Sequence, residues 1–254
     1  ILILIIVSFA VKGQDTLVLH HKYLPVDDSV LVYTPSSMND KSNYPVVFLL
    51  HGYGGNYRIW SEISPLQEYS DAFGFIIVCP DGLSDSWYIN SPVNNSSQYS
   101  SFFFQQLMPA IQRKYPSDQE NYFITGLSMG GYGALRLYAD NPAMFRGVSA
   151  MSALLDLNEF RSEYGIPDIF GSNSKTLFNQ SIQSLLSIYK KSGVHLYLDC
   201  GTEDLFYKQH QAFFEMCKKE NVNLHFSYRP GGHNRQYWAE SLKDHLYYFQ
   251  YFIR

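Results

Sequence analysis

The sequence predicts an α/β fold, a mostly parallel central sheet with helices on both faces, and three observations lead there. Short β-rich runs alternate with longer amphipathic stretches along the chain. Several runs are almost continuously apolar, as strands buried on both faces must be. No repeat or low-complexity linker divides the 254 residues, a length that single α/β domains commonly reach. Such alternation gives a doubly wound sheet with right-handed crossovers, and places functional sites at the carboxyl ends of the strands.

Residues 1–10, ILILIIVSFA, are apolar and uncharged. The run has the length of the apolar segment of a secretory signal, well short of the ~20 residues that span a bilayer. A truncated signal peptide is therefore expected over 1–13, with cleavage after Ala10 or Gly13. The expectation is an exported protein without stable membrane insertion, and one domain over 14–254. Next, TLVLHHKYL and VLVYTP flank the turn PVDDS and read as an antiparallel hairpin. YPVVFLLHG is the first buried strand. A partly helical stretch from Asn56 to Phe73 leads to the second, FGFIIVCPDG. Residues 98–115 read as a helix stopped by Pro116.

NYFITGLS is a third buried strand, and it runs into MGGYGALRLYADNP, a helix closed by Asn-Pro. FRGVSAMSALL, VHLYLDCG and NLHFSYRPGG supply three further strands. Between the first two of these lies an excursion over 156–192, with a helix expected from about Leu177 to Lys190.

Composition narrows the function classes. The chain is 46% hydrophobic with 21 Tyr and 18 Phe, enough for a large core and far from the makeup of disordered chains. A net charge of −4 with no basic run leaves nucleic acid no electrostatic footprint. Cys79, Cys200 and Cys217 are too few for a disulfide framework, and Cys79 and Cys200 read as small buried thiols. Neither C-x-x-C nor H-E-x-x-H occurs, so a zinc site lacks its usual signature and no metal or organic cofactor is implied.

One short stretch carries chemistry. Gly126-Leu127-Ser128-Met129-Gly130 is a G-x-S-x-G sequence between a buried strand and a helix, the context a nucleophile elbow requires. The turn raises the Ser128 hydroxyl at the helix amino end, where the Met129 N–H can face a developing oxyanion. A serine needs a base to take its proton. His20, His21, His195 and His225 lie in or beside strands and read as structural. His210 and His245 fall in helical stretches and read as solvated, and His51 reads as a loop brace.

His233 differs. In RPGGHNRQYW it follows two glycines beyond the final strand, on a loop free to swing over the sheet's carboxyl edge. The carboxylate that orients it belongs in the loop after VHLYLDCG. Asp199 is still inside the strand pattern, so Asp204 is the choice, with Glu203 as its rival. The loop of LLHGYGGNY supplies the second oxyanion donor, the Tyr53 N–H, opposite Met129.

LLHGYGG, VCPDG, SWYINSP, GLSMGGYGAL, CGTEDLF and GGHNRQYW occur in the order found in one esterase family. It includes S-formylglutathione hydrolase, tributyrin esterases, feruloyl esterase domains of xylanases and the antigen 85 mycolyltransferases. The chain resembles that family over residues 15–252. The resemblance implies an α/β-hydrolase fold with a short lid over 156–174. It places the nucleophile on Ser128, the acid on Asp204, the base on His233 and the oxyanion donors on Tyr53 and Met129. Trp87 and Tyr88 resemble the family's substrate-facing aromatic pair. The implied activity is a serine carboxylesterase working through an acyl-enzyme on a small ester or an acylated carbohydrate. Acetyl and feruloyl esters of plant polysaccharides fit an exported member. A thioesterase of the S-formylglutathione type, a mycolyltransferase-like acyltransferase and a silent carbohydrate binder are the alternatives.

Overall fold

The computed structural model describes residues 13–20, 22–39 and 42–253; the expected signal peptide, apart from Gly13, lies outside them. Eight strands form one sheet: β1 (Gln14–Leu19), β2 (Asp28–Tyr33), β3 (Tyr44–Leu50), β4 (Ile76–Pro80), β5 (Ser117–Gly126), β6 (Gly147–Met151), β7 (Leu196–Gly201) and β8 (Leu224–Arg229). Their order is β1-β2-β4-β3-β5-β6-β7-β8. The hairpin β1–β2 is antiparallel, as is β2 to β4, and every later pairing is parallel. The chain leaves β3 toward β4 on one side and reaches β5 on the other. That reversal opens a crevice at the carboxyl ends of β3 and β5, where α/β sheets bind their ligands.

The helices are α1 (Ile59–Ile63), α2 (Leu66–Phe73), α3 (Tyr99–Phe102), α4 (Met108–Lys114), α5 (Met129–Asp140), α6 (Ile166–Phe170), α7 (Ser174–Gln180), α8 (Leu186–Ser192), α9 (Tyr207–Glu220) and α10 (Arg235–Gln250). Strand residues alternate between two cores. Val46, Phe48 and Leu50 of β3 join the layer that holds Phe102, Leu135 and Phe213. Val47 and Leu49 join the layer that holds Trp60, Leu66, Leu246 and Phe249. Both faces are covered, which is why these strands read as unbroken apolar runs. The helix expected over 98–115 is present, with a π-helical stretch at Phe103–Leu107 joining α3 to α4. Among the described residues no helix is long and apolar enough to cross a membrane.

Two sequence expectations need correction. The helix expected over 177–190 is broken into α7, a 3-10 turn at Ile182–Leu185 and α8. Ser181 is extended there (φ −68°, ψ 150°), and its Oγ accepts the Leu157 N–H at 3.0 Å, tying the segment to the 3-10 turn Leu157–Phe160. His210 and His245 are fully buried rather than solvated. They occupy the inward faces of α9 and α10, positions the apolar pattern passed over because histidine counts as polar. His210 Nε2 lies 2.9 Å from the Ala153 carbonyl, and burial lowers its pKa to about 4. His245 Nδ1 lies 2.7 Å from Ser149 Oγ, and its ring stacks on Tyr197. All three cysteines are free and buried.

Asp28, at the head of β2, is also fully buried. Burial first, and the neighbouring Asp81 charge second, push its carboxyl well above the usual range. Such a group contributes stability that is full below the unfolded pKa of about 3.9 and is lost as pH rises toward the folded value. The isosteric Asp28→Asn therefore stabilises the fold, by a margin that grows above pH ~4 at up to about 1.4 kcal/mol per pH unit. Thermal melts of both proteins from acid to neutral pH check this; a difference independent of pH contradicts it.

Candidate active site

Ser128 stands between the last residue of β5 and the first of α5 with φ 54° and ψ −118°, a strained backbone for a residue with a side chain. The surrounding backbone holds it there. Ser128 N–H donates to the Met151 carbonyl at 2.9 Å and Leu127 N–H to the Leu50 carbonyl at 3.2 Å. The flanking glycines are required because strand and helix meet backbone to backbone. A Cβ on Gly126 would lie 2.4 Å from the Gly130 carbonyl oxygen, and one on Gly130 would lie 2.2 Å from that of Leu50.

The loop after β3 presses on the same turn. A Cβ on Gly52 would lie 2.7 Å from Leu127 Cδ1 and 3.3 Å from Ser128 Cβ. His51 shapes this loop from below. The Gly82 N–H donates to its Nε2 at 2.7 Å, so the proton sits on Nδ1 and is donated to the Gly52 carbonyl at 2.8 Å. Tyr53 and Met129 both lie beside Ser128. Neither backbone N–H is engaged by a hydrogen bond among the described residues, as the first N–H of a helix is expected to be.

His233 follows Gly231 (φ 144°) beyond β8, and Asn234 then caps α10 by accepting the Tyr237 N–H at 3.0 Å. Ser128 Oγ lies 2.9 Å from His233 Nε2, and His233 Nδ1 lies 3.0 and 3.2 Å from the two Asp204 oxygens. The imidazole sits edge-on to Phe206 and Trp238, each ring centroid 4.9 Å away. Asp204 also accepts the Phe206 N–H at 2.8 Å. Burial opposes its charge, but the His233 hydrogen bond and charge, with the Phe206 N–H, hold its carboxyl below the usual range. Its rival Glu203 is exposed and donates only its N–H, to the Gly231 carbonyl at 3.0 Å. The three residues singled out in the sequence are thus brought into one hydrogen-bonded chain.

A cleft of about 290 Å³ opens above Ser128, walled chiefly by Tyr53, Trp87, Tyr164, Phe206, Arg235 and Trp238. Tyr164 belongs to the lid, and the Trp87 indole N–H donates to its carbonyl at 3.0 Å. Tyr53 packs against Tyr164 with centroids 5.7 Å apart, so the loop and the lid meet over the cleft. Tyr88 corrects its sequence expectation. It is fully buried and faces no substrate. Its ring fills the space left by Gly82 and Gly133, where added Cβ atoms would lie 2.2 and 2.3 Å from it. Its hydroxyl donates to the His51 carbonyl at 2.9 Å, so it supports the loop after β3. Tyr164, Phe206, Arg235 and Trp238 were not singled out in the sequence. Phe206 closes the quoted CGTEDLF, and Arg235 and Trp238 lie within GGHNRQYW, so proximity to the acid and base was the available signal. Tyr164 has no local one.

The family model described as "Putative esterase" matches residues 22–249. The acetyl esterase of Caldicellulosiruptor saccharolyticus is 27% identical over 250 residues, covering 89% of this chain and 93% of that protein. The S-formylglutathione hydrolase of Arabidopsis thaliana is 23% identical over 240 residues, 85% of this chain and 84% of that one. A solved ferulic acid esterase structure superposes with a TM-score of 0.82 at 27% identity, covering 95% of this chain and 98% of the other. With the family model spanning the elbow, the lid and the histidine loop, the chain belongs to the Putative esterase family of α/β-hydrolases and is a serine carboxylic ester hydrolase.

Proposed function

We propose that this enzyme hydrolyses acetyl or feruloyl esters of plant polysaccharides through an acyl-enzyme on Ser128. The observation that carries the mechanism is the continuous Ser128–His233–Asp204 chain at the floor of an aromatic cleft. His233 Nε2 takes the Ser128 proton as Oγ attacks the ester carbonyl. The carbonyl oxygen gains negative charge, and the N–H groups of Tyr53 and Met129 receive it, each such donor contributing ~3 kcal/mol to the transition state. His233 then protonates the departing alcohol. A water deprotonated by the same nitrogen cleaves the acyl-enzyme and regenerates Ser128. Asp204 keeps the proton on Nδ1 throughout and stabilises the imidazolium formed at each step.

The substrate class is supported by the cleft walls. Tyr53, Tyr164 and Trp238 offer flat faces to an aromatic acyl group or a sugar ring, with the buried Trp87 behind them, and two relatives, each 27% identical, carry acetyl esterase and ferulic acid esterase names. Export belongs to the same proposal, supported by the apolar run over residues 1–10. Amino-terminal sequencing of the secreted protein is expected to begin at Val11 or Gln14.

Ser128→Ala is expected to lower hydrolysis of p-nitrophenyl acetate by roughly three orders of magnitude or more, with the fold retained. Asp204→Asn costs about as much, while Glu203→Gln stays within about threefold of wild type. Equal losses in the two acid variants would reassign the carboxylate. Trp87→Ala is expected to raise KM for methyl ferulate more than for p-nitrophenyl acetate, because loss of the buried indole releases Tyr164, whose ring only the larger aromatic acyl group needs. Hydrolysis of S-formylglutathione with neither acetyl nor feruloyl esters cleaved would overturn the substrate class and leave the mechanism standing. Acyl transfer to an added sugar in preference to water would identify an acyltransferase instead.

A further inference from the structure

A second set of polar side chains, buried except for the part-exposed Arg229, lies beneath the His233 turn, and the proposed hydrolysis uses none of them. Asp199, near the carboxyl end of β7, is fully buried. One of its oxygens accepts the Tyr237 hydroxyl and the other accepts Arg229 Nη1 at 3.3 Å. Arg229 also donates to the Tyr237 carbonyl and to Ser241 Oγ, both at 2.9 Å, and its guanidinium lies 3.9 Å from the centre of the Tyr237 ring. Burial opposes the Asp199 charge, but His245 together with the hydroxyls of Ser241 and Tyr237 holds the carboxyl below its usual range. A buried carboxylate with this many partners is rigid, since loosening any one leaves a charge unsatisfied.

The rigidity is passed to the turn between β8 and α10. The Tyr237 ring stands against Gly231, where an added Cβ would lie 2.5 Å from Cδ2. On the other side, a Cβ on Gly201 would lie 2.1 Å from the Gly231 carbonyl oxygen. Gly231 is therefore pressed between β7 and the Tyr237 ring, and Tyr237 N–H holds Asn234 from within α10. His233 lies between these two fixed points. The Gly231-Gly232 pair that carries His233 has little stiffness of its own.

We propose that Asp199, Arg229 and Tyr237 are positioning residues, a clamp on the His233 turn that keeps Nε2 in line with Ser128 Oγ. This rests on His233 being the base of the reaction.

Tyr237→Phe removes one hydroxyl and keeps the ring against Gly231, so it tests the clamp. For p-nitrophenyl acetate, kcat is expected to fall about tenfold to a hundredfold with KM within about twofold, the size of loss that a misplacement near 1 Å produces. The acid limb of the kcat/KM profile is expected to move to lower pH, because an imidazole held less well against Asp204 is easier to deprotonate. Leu246→Ala, which opens a packing defect farther along α10, is the comparison. It lowers Tm while leaving the acid limb in place. Arg229→Gln removes the other arm of the clamp and serves if Tyr237→Phe does not fold. Wild-type kcat and acid limb in the folded clamp variant, or an equal shift of the limb in Leu246→Ala, would overturn the proposal. Wild-type activity in His233→Ala would overturn the assignment of the base instead, so the two failures are distinct.

Discussion

At the junction of β3, β5 and α5, main chain packs on main chain with no side chain between. Gly130 sits against the Leu50 and His51 carbonyls, and Gly126 sits against Gly130. The remainder of the site takes its position from this contact. It brings the amino end of α5 to the carboxyl ends of both strands, so one turn presents a hydroxyl and a helix-terminal N–H side by side. Ser128 is held at positive φ, at a cost of ~1–3 kcal/mol that the surrounding structure must overcome. The neighbouring hydrogen bonds from Leu127 and Ser128 to Leu50 and Met151 run into the two flanking strands. They are continuous with the sheet ladder, so the turn cannot relax without disturbing the middle of the fold.

Around that contact, polar side chains work as struts between loops that share no sequence neighbourhood. His51 links the end of β3 to the backbone just beyond β4, and Tyr88 supports His51 from underneath. Asp199, Arg229 and Tyr237 link β7 and β8 to the start of α10. His51, Tyr88, Asp199 and Tyr237 are buried and Arg229 is partly so, which strengthens these hydrogen bonds and makes a missing partner expensive. Glycine segments can then carry the loop after β3 and His233 without losing alignment.

The cleft is built differently. Tyr53, Tyr164, Phe160 and Phe206 meet ring to ring in succession, and Phe206 meets His233. This arc joins the loop after β3 to His233 by way of the lid. It excludes water from one side of the imidazole while leaving the serine open. The walls are apolar faces with few fixed polar groups, an arrangement suited to recognising shape in the acyl or sugar part of an ester.

Much of the fold and the triad was legible in the sequence because both rest on local rules. Apolar runs of strand length, the hairpin turn and the strand–glycine–helix context of Ser128 are consequences of backbone sterics and burial acting over a few residues. The place of His233 was legible from two glycines after a strand, and Asp204 from the first residues clear of the sheet. Tertiary structure decided what depends on which surface faces inward. His210 and His245 read as solvated because polarity is local, while the inward face of a helix is set by its neighbours. Local sequence pairs Tyr88 with Trp87 as substrate-facing, but glycines 51 residues apart in the chain, Gly82 and Gly133 flanking it in space, leave the hole its ring fills. Tyr164 reaches the cleft only because the lid meets Tyr53 in the loop after β3 and is held by the Trp87 indole. The amino-acid sequence by itself determined the chemistry, since a strained serine turn, a glycine-borne histidine and an acid beyond a strand are each written in adjacent residues. Only the tertiary structure decided the cleft walls and the struts beneath them, because those contacts join positions that covalent order keeps apart.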